Sequence, residues 1–307
     1  MDIYETVTNR ILTQLAAGVI PWRKTWTTRL PKSLTSQKEY RGVNILVLGG
    51  TEYTSRYWLT YREAQRHGGH VRKGERATPV IYWKWRTPEE LAKRAEETGK
   101  ERISPCVPFV SAVFNLDQVD GVARLDDDIR HRPEDRLKVA DEMLDVMPDK
   151  PEIVHTVTAQ PAYSRSLDRV TLPHLSQFQS ADEYYAALFH ELVHSTGAPR
   201  RLNRFAEAEG DRVEKYSFEE LVAEFGAAFL CGFAGIQNAG TDALQASYIE
   251  GWARVFRQDS RILVRAASAA QAAADFIRGK FPAKTAVIAP AAVTVSGIPA
   301  DLQPFPG

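Results

Sequence analysis

His190, Glu191 and His194 stand in the order H-E-x-x-H within the stretch YYAALFHELVHSTGAPRRLNR. Four helical residues turn about 400°, so the two histidines project from one face a turn apart, where both imidazoles can reach one Zn²⁺ at about 2.0–2.1 Å. Glu191 lies slightly round the helix, where it can take a proton from an attacking water and pass it to a leaving group. This is the chemistry of a metal-dependent hydrolase, and a catalytic zinc wants three protein ligands with one position left open. The third ligand is expected from SFEELVAEFGAAFLCGF, further along the chain. Glu220 and Glu224 are four apart and share a helical face, so one can ligate while the other orients a histidine. Glu220 is favoured as the ligand, with Glu224 as the alternative. Glu219 points about 100° away and is expected to be solvated. Zn²⁺ is the expected ion, and Mn²⁺ or Co²⁺ can take its place.

These residues require two packed helices. The first, in SADEYYAALFHELVHSTG, starts with a cap at Ser180, has acids in its first turn and ends at Gly197. The second is expected to start at about Ser217, and Leu221, Val222 and Phe225 give it a buried face. A buried carboxylate on that face wants a cation. Upstream, YSRSLDRVTLP alternates polar and apolar residues as an exposed edge strand would, the element with which zinc peptidases pair an extended peptide. His155 and His174 have no partner at ligand spacing. RRLNR, just past the metal helix, reads as a basic contact or a structural corner. A helix is expected over 134–147, one long packing helix over 251–279, and a flexible tail beyond Lys284.

With 307 residues, 44% of them hydrophobic, the chain can build two domains, each with its own core, which excludes a disordered or fibrous protein. Its two cysteines, Cys106 and Cys231, form no C-x-x-C pair and read as small buried hydrophobes in a reducing compartment. Nowhere do about 18 apolar residues follow one another, so no membrane span is expected and a cytoplasmic location is.

The net charge of zero conceals an asymmetry. Residues 1–86 hold 15 Lys and Arg against six Asp and Glu, which leaves 24 against 33 in the remainder. The same segment holds five of the six tryptophans and six of the eleven tyrosines. Cations can follow a phosphate backbone while aromatic faces stack on unpaired bases, so the mixture suits single-stranded nucleic acid. In PWRKTW, Trp22 and Trp26 flank Arg23 and Lys24; in GGHVRKGERATPV, Arg72 and Lys73 stand among glycines. In IYWKWR, alternation puts Tyr82, Lys84 and Arg86 on one strand face and Trp83 and Trp85 on the other, one face expected to be core and the other a binding surface. Residues 2–17 have helical spacing, RGVNILVLGG is a short strand or a buried helix, TYREAQRHGG is a helix, and TPEELAKRAEETGKER is a charged insertion without an apolar stripe. PFVSAVFNLDQVDGV returns to strand character and closes the first domain.

These motifs together resemble the ArdC-type antirestriction family of conjugative plasmids. PWRKTW, YRGVNILVL, WLTYREA, GGHVRKGERATPVIYWKW and VFNLDQVDG are similar to its single-stranded-DNA-binding domain, and YYAALFHELVHSTGAPRRLNR with EELVAEFGAAFL to its zincin-like metallopeptidase domain. The resemblance implies an α+β chain of two domains: a small α+β DNA-binding domain over 1–130 and a gluzincin-like domain over 131–285, with an H-E-x-x-H helix and an antiparallel edge strand. A tail over 286–307 follows. It implies zinc on His190, His194 and Glu220 with Glu191 catalytic, relationship to the N-terminal part of certain plasmid primases, and protection of incoming DNA from restriction. Single-stranded DNA is the expected partner, with a host restriction-enzyme subunit as a further protein partner or substrate. The DNA-binding candidates are Trp22, Arg23, Lys24, Trp26, Arg41, Asn44, Arg72, Lys73, Tyr82 and Lys84. The alternative reading is a non-catalytic DNA-binding shield, or an inhibitor that binds the restriction enzyme, with a structural or vestigial metal site.

Overall fold

The computed structural model describes residues 2–23, 30–99, 103–124, 133–157, 160–207, 212–237 and 245–280. It is a two-domain α+β chain. The N-terminal part runs α1 (Ile3–Ala16), β1 (Lys32–Ser33), α2 (Val43–Gly49), β2 (Tyr57–Leu59), α3 (Tyr61–Arg66), β3 (His70–Val71), β4 (Thr78–Trp85), α4 (Pro88–Thr98), β5 (Cys106–Asn115) and β6 (Val119–Asp120). Its main sheet has the order β1-β2-β5-β4, with β4 and β5 paired antiparallel from Thr78↔Val113 to Trp85↔Cys106. RGVNILVLGG resolves to the buried helix α2, in which Val43 to Leu48 are all buried. Helix α4 buries none of its residues, as its lack of an apolar stripe requires.

The C-terminal part continues with α5 (Pro133–Asp145), β7 (Glu152–His155), β8 (Ala162–Ser164), β9 (Arg169–Leu172), α6 (Ala181–Ser195), α7 (Arg204–Glu207), α8 (Arg212–Ala234), α9 (Gln245–Gln258) and α10 (Ile262–Ile277). YSRSLDRVTLP is a hairpin rather than one edge strand. β8 lies on the edge, antiparallel to β9, whereas β9 is central and buries Val170 and Leu172. Two further expectations change. Helix α8 begins at Arg212, before Ser217, and the long C-terminal helix is two, broken at 259–261 where Asp259 accepts from the Arg261 backbone amide at 2.8 Å.

The expectation of separate cores also fails. Val7, Ile11 and Trp22 from the N-terminal part belong to the same buried cluster as Phe189, Phe225 and Phe256 from the C-terminal part. Helix α1 packs on α9 and α2 on α10. Polar bonds follow the apolar seam: Thr8 Oγ1 donates to Ser260 O at 2.8 Å, and the Gly42 amide donates to Gln271 Oε1 at 3.0 Å. Only smaller clusters, such as that of Tyr40, Leu48, Trp58, Val80 and Val113, are private to the N-terminal domain.

Asn44 ties α2 to the main sheet. Its side chain donates to Ile81 O and accepts from Ile81 N, both at 2.8 Å, and it is buried. Buried and bonded to the Ile81 backbone, Asn44 has a structural role, which corrects its placement among the DNA contacts. Asn44→Ala should cost about 1–3 kcal/mol in a urea titration, because it strands a buried amide and carbonyl, while the folded variant binds single-stranded DNA as the parent does.

Candidate metal centre

Helix α6 starts where Ser180 accepts the Glu183 amide at 3.1 Å, and it runs antiphase to solvent: Leu188, Phe189, Leu192 and Val193 are buried while His190 and His194 remain partly open. Helix α8 packs across it. A Cβ on Gly226 would lie 2.7 and 2.9 Å from the two methyls of Val193, so glycine is what allows the helices this approach. The approach sets Glu220 against the histidines. His190 Nε2 and His194 Nε2 are 3.1 Å apart, and Glu220 oxygens lie 3.6 Å from the first and 3.5 Å from the second.

Those separations match a metal's requirement. Ligands about 2.1 Å from a tetrahedral ion stand roughly 3.4 Å from one another. His190, His194 and Glu220 are the one group of potential ligands that meets at such distances among the described residues. Glu224 does not join them. Its Oε1 is 2.7 Å from Arg23 Nη2, and the Arg23 guanidinium also lies over the Tyr248 ring, 3.9 Å from its centroid. The alternative ligand is therefore ion-paired with a cation from the N-terminal part.

Glu219, expected in solvent, is buried. Its Oε1 faces His194 Nδ1 at 3.3 Å, and Arg204 grips both its oxygens, at 2.7 and 3.2 Å. A carboxylate on Nδ1 keeps the proton there and leaves Nε2 free for a metal, the role the spacing had offered to Glu224. Arg204 also donates to Thr196 Oγ1 at 2.7 Å and to Val193 O at 2.9 Å, so it closes the end of α6. RRLNR is thus a structural corner. Arg201 holds Asp168 of the β8–β9 turn with two bonds, at 2.7 and 2.9 Å, and Asn203 turns the chain back with φ +54°.

The charges reinforce this arrangement. Burial opposes a charge on His190, but the Glu220 hydrogen bond and the charges of Glu191, Glu224 and Glu220 raise its pKa to about 9. Burial likewise works against ionised Glu219 and Glu220, and the histidines, with Arg204 for Glu219, hold both below the ordinary value. The site attracts positive charge. Glu191 is buried next to His190 on α6.

The remaining candidates are dispersed. Trp22 is fully buried, donates Nε1–H to Tyr248 OH at 3.0 Å and packs edge-on against Phe225, so it has no face for a base. Arg23 is engaged by Glu224, as described. Arg41 is ion-paired with Asp275. Arg72 bridges Glu75 at 2.9 Å and Asp120 at 3.4 Å, and Lys73 beside it is exposed. Lys24 and Trp26 lie outside the described residues. On β4, Lys84 pairs with Glu90 at 3.1 Å and Tyr82 is exposed, but so are Trp83 and Trp85: neither face of the distal strand is core. Opposite Tyr82 and Trp83 on β5 stand Phe109 and Pro108, and Phe109 is exposed like its neighbours across the ribbon.

Residues 140–269 match the family described as zincin-like metallopeptidase, and residues 1–114 the N-terminal domain of anti-restriction factor ArdC. Fold and site define a zincin-like domain carrying a His/His/Glu cluster behind an ArdC N-terminal domain. The chain belongs to the ArdC antirestriction family. It is similar to the antirestriction protein ArdC of plasmid R388, in metal-free and Mn(II)-bound crystal structures, with 32% identity and a TM-score of 0.71 over 91% of this chain and 98% of that one. It is 33% identical to the uncharacterized protein y4eC of Sinorhizobium fredii, over 91% of this chain and 92% of that protein. Two Escherichia coli proteins named DNA primase TraC are 34% and 32% identical over 89% of this chain, which spans 27% and 20% of their lengths. Among the described residues no helix is long and apolar enough to cross a membrane.

The geometry separates the roles of three neighbouring carboxylates. Glu219→Gln should weaken Mn²⁺ binding by about 10–100-fold in a calorimetric titration, because it removes the charge behind His194. Glu224→Gln, which keeps a hydrogen-bond acceptor for Arg23, should leave that affinity within a few-fold of the parent, whereas Glu220→Ala should abolish measurable binding.

Proposed function

We propose that the chain is a zinc-dependent peptidase joined to a single-stranded-DNA-binding domain, and that it protects incoming DNA from restriction during conjugation. The observation that carries the enzymatic half is the triangle of His190, His194 and Glu220, whose edges of 3.1 to 3.6 Å suit one tetrahedral ion. Zn²⁺ held there would act as a Lewis acid and lower the pKa of water at the site. The chain's own residues do the rest. His190, His194 and Glu220 would hold the ion, Glu219 fixes the His194 ring, and Glu191 would receive the proton of the attacking water and return it to the leaving amine. β8, on the edge of its sheet and in contact with α6, offers free backbone groups to an extended peptide. A restriction-enzyme subunit encountered on the bound strand is the substrate this reading favours.

The nucleic-acid half rests on the distal β4–β5 ribbon. Tyr82, Trp83, Trp85 and Phe109 are 45%, 42%, 50% and 50% exposed, on both faces of two strands, with Lys84 and Arg86 between and beside them. Monomeric domains seldom leave so many large aromatics in water, and each presents a face on which an unpaired base can stack.

The enzymatic half is tested by restriction of transferred DNA in cells expressing the parent or Glu191→Gln, once both purified proteins are shown to hold metal and bind the same oligonucleotide. The proposal expects protection to be lost in the variant; protection at the parent's level would remove catalysis from the account. For the ribbon, Trp83→Ala with Trp85→Ala should weaken single-stranded-DNA binding by about 1–3 kcal/mol per lost stack, with the salt dependence nearly unchanged. Equal affinity in an anisotropy titration would exclude the ribbon as the stacking surface.

A further inference from the structure

At the seam between the domains lies a cavity of about 260 Å³, lined by residues of both. Four cations, Lys38, Arg41, Arg278 and Lys280, line it together with Tyr40 and Phe233. Their ion pairs do not balance. Arg41 is paired with Asp275, and Glu39, the one acid of the lining, is 3.4 Å from Arg56. Among the described residues, Lys38, Arg278 and Lys280 make no ion pair.

Arg278 is the telling member. It is half-buried, its guanidinium carbon sits 3.3 Å from the centroid of the Phe233 ring, and it donates no side-chain hydrogen bond to a described residue. A guanidinium carries five N–H donors in a fixed fork, so those of Arg278 are free to meet the acceptors of a ligand. Burial, with Arg41 nearby, holds its pKa below the ordinary arginine value despite the pull of Glu39 and Asp275. Cations at a helix C-terminus often serve its last carbonyls. Here three of those carbonyls are already taken by backbone: the amides of Arg278, Gly279 and Lys280 donate to Ala274, Phe276 and Asp275 at 3.1, 3.0 and 2.8 Å.

We propose that this cavity is a binding site for a phosphomonoester, either the terminal phosphate of a nucleic-acid strand or that of a free nucleotide. Three unspent positive charges suit a group that carries about −1.5 to −2 at neutral pH and offers three acceptor oxygens; a carboxylate or an internal phosphodiester offers only one charge. The Phe233 ring fixes the plane of the Arg278 fork, and Lys38 and Lys280 supply mobile point charges at the mouth. The volume lies below the roughly 300–1,000 Å³ of pockets that enclose drug-sized ligands, so the site grips a phosphate and its nearest atoms rather than a run of strand. The site uses neither the metal ligands nor the ribbon, and its failure would leave both readings standing.

The test compares a 3′-labelled single strand carrying a 5′-phosphate with the same strand ending in 5′-hydroxyl, by anisotropy, in competition with a deoxynucleoside 5′-monophosphate and with the unphosphorylated deoxynucleoside. The parent chain should prefer the phosphorylated strand by about tenfold, or be occupied by the monophosphate and not by the nucleoside, an increment that one charge-assisted pair supplies. The first result identifies a strand end as the ligand and the second a free nucleotide. Arg278→Gln, and separately Lys38→Gln with Lys280→Gln on the exposed rim, should remove the discrimination while leaving the 5′-hydroxyl strand bound as before. A parent that discriminates in neither comparison, or discrimination that survives in the rim double variant, overturns the proposal.

Discussion

The close crossing of α6 and α8 is the constraint on which the site depends. A glycine inside a helix costs roughly 0.5–1 kcal/mol relative to alanine, and Gly226 stands in the middle of the longest helix described. The space its missing side chain leaves is filled by Val193, one residue before His194. A helix pair held at that separation sets the Glu220 carboxylate 3.5 and 3.6 Å from two imidazoles. The same pair is buried on its other faces by Phe189, Leu192, Phe225 and Phe229, so packing and ligand geometry have one solution in common.

Around that crossing, arginines do the work that a metal site usually leaves to scattered partners. Arg204 closes α6 and holds Glu219 on His194; Arg201, fully buried, fastens the same corner to the β8–β9 turn through Asp168. Arg23 comes from the other domain and pairs with Glu224, one turn along α8 from Glu220. The pair sits beside Trp22, itself locked into the common core by Tyr248, Phe225 and Phe256. The N-terminal domain is thus a wall of the metal domain as well as a neighbour of it, and the stretch that follows Arg23 carries Lys24 and Trp26.

The parts of this architecture that are local were legible in the sequence. Helix α6 announces itself through Ser180, its acidic first turn and the histidine spacing, all within one element. The place of Glu220 beside the two histidines was legible because spacing and helix face share one periodicity. Glu219 was not: its burial depends on Arg204, 15 positions away, folding back over the α6 terminus, and no pattern within α8 encodes that. Trp22 and Arg23 misled for a related reason. Aromatic and basic residues serve a buried seam as well as a nucleic-acid surface, and only the partners Tyr248 and Glu224, more than 200 positions distant, decide between them. The β4–β5 ribbon misled in the other direction, since alternation in a strand implies one covered face, and here the covering layer stops at Ile81. The break between α9 and α10 rested on Asp259 and Ser260 inside an otherwise helical run, too weak a signal against so many alanines.

Anomalous diffraction from crystals of the parent chain grown with Mn²⁺ or Zn²⁺ shows where an ion sits. One anomalous peak is expected, bonded to His190 Nε2, His194 Nε2 and a Glu220 oxygen, with Glu219 still on His194 Nδ1, Arg23 still on Glu224, and a coordination position free of protein atoms. A peak bonded to Glu224 in place of Glu220, or an ion closed by four protein ligands, would contradict that assignment.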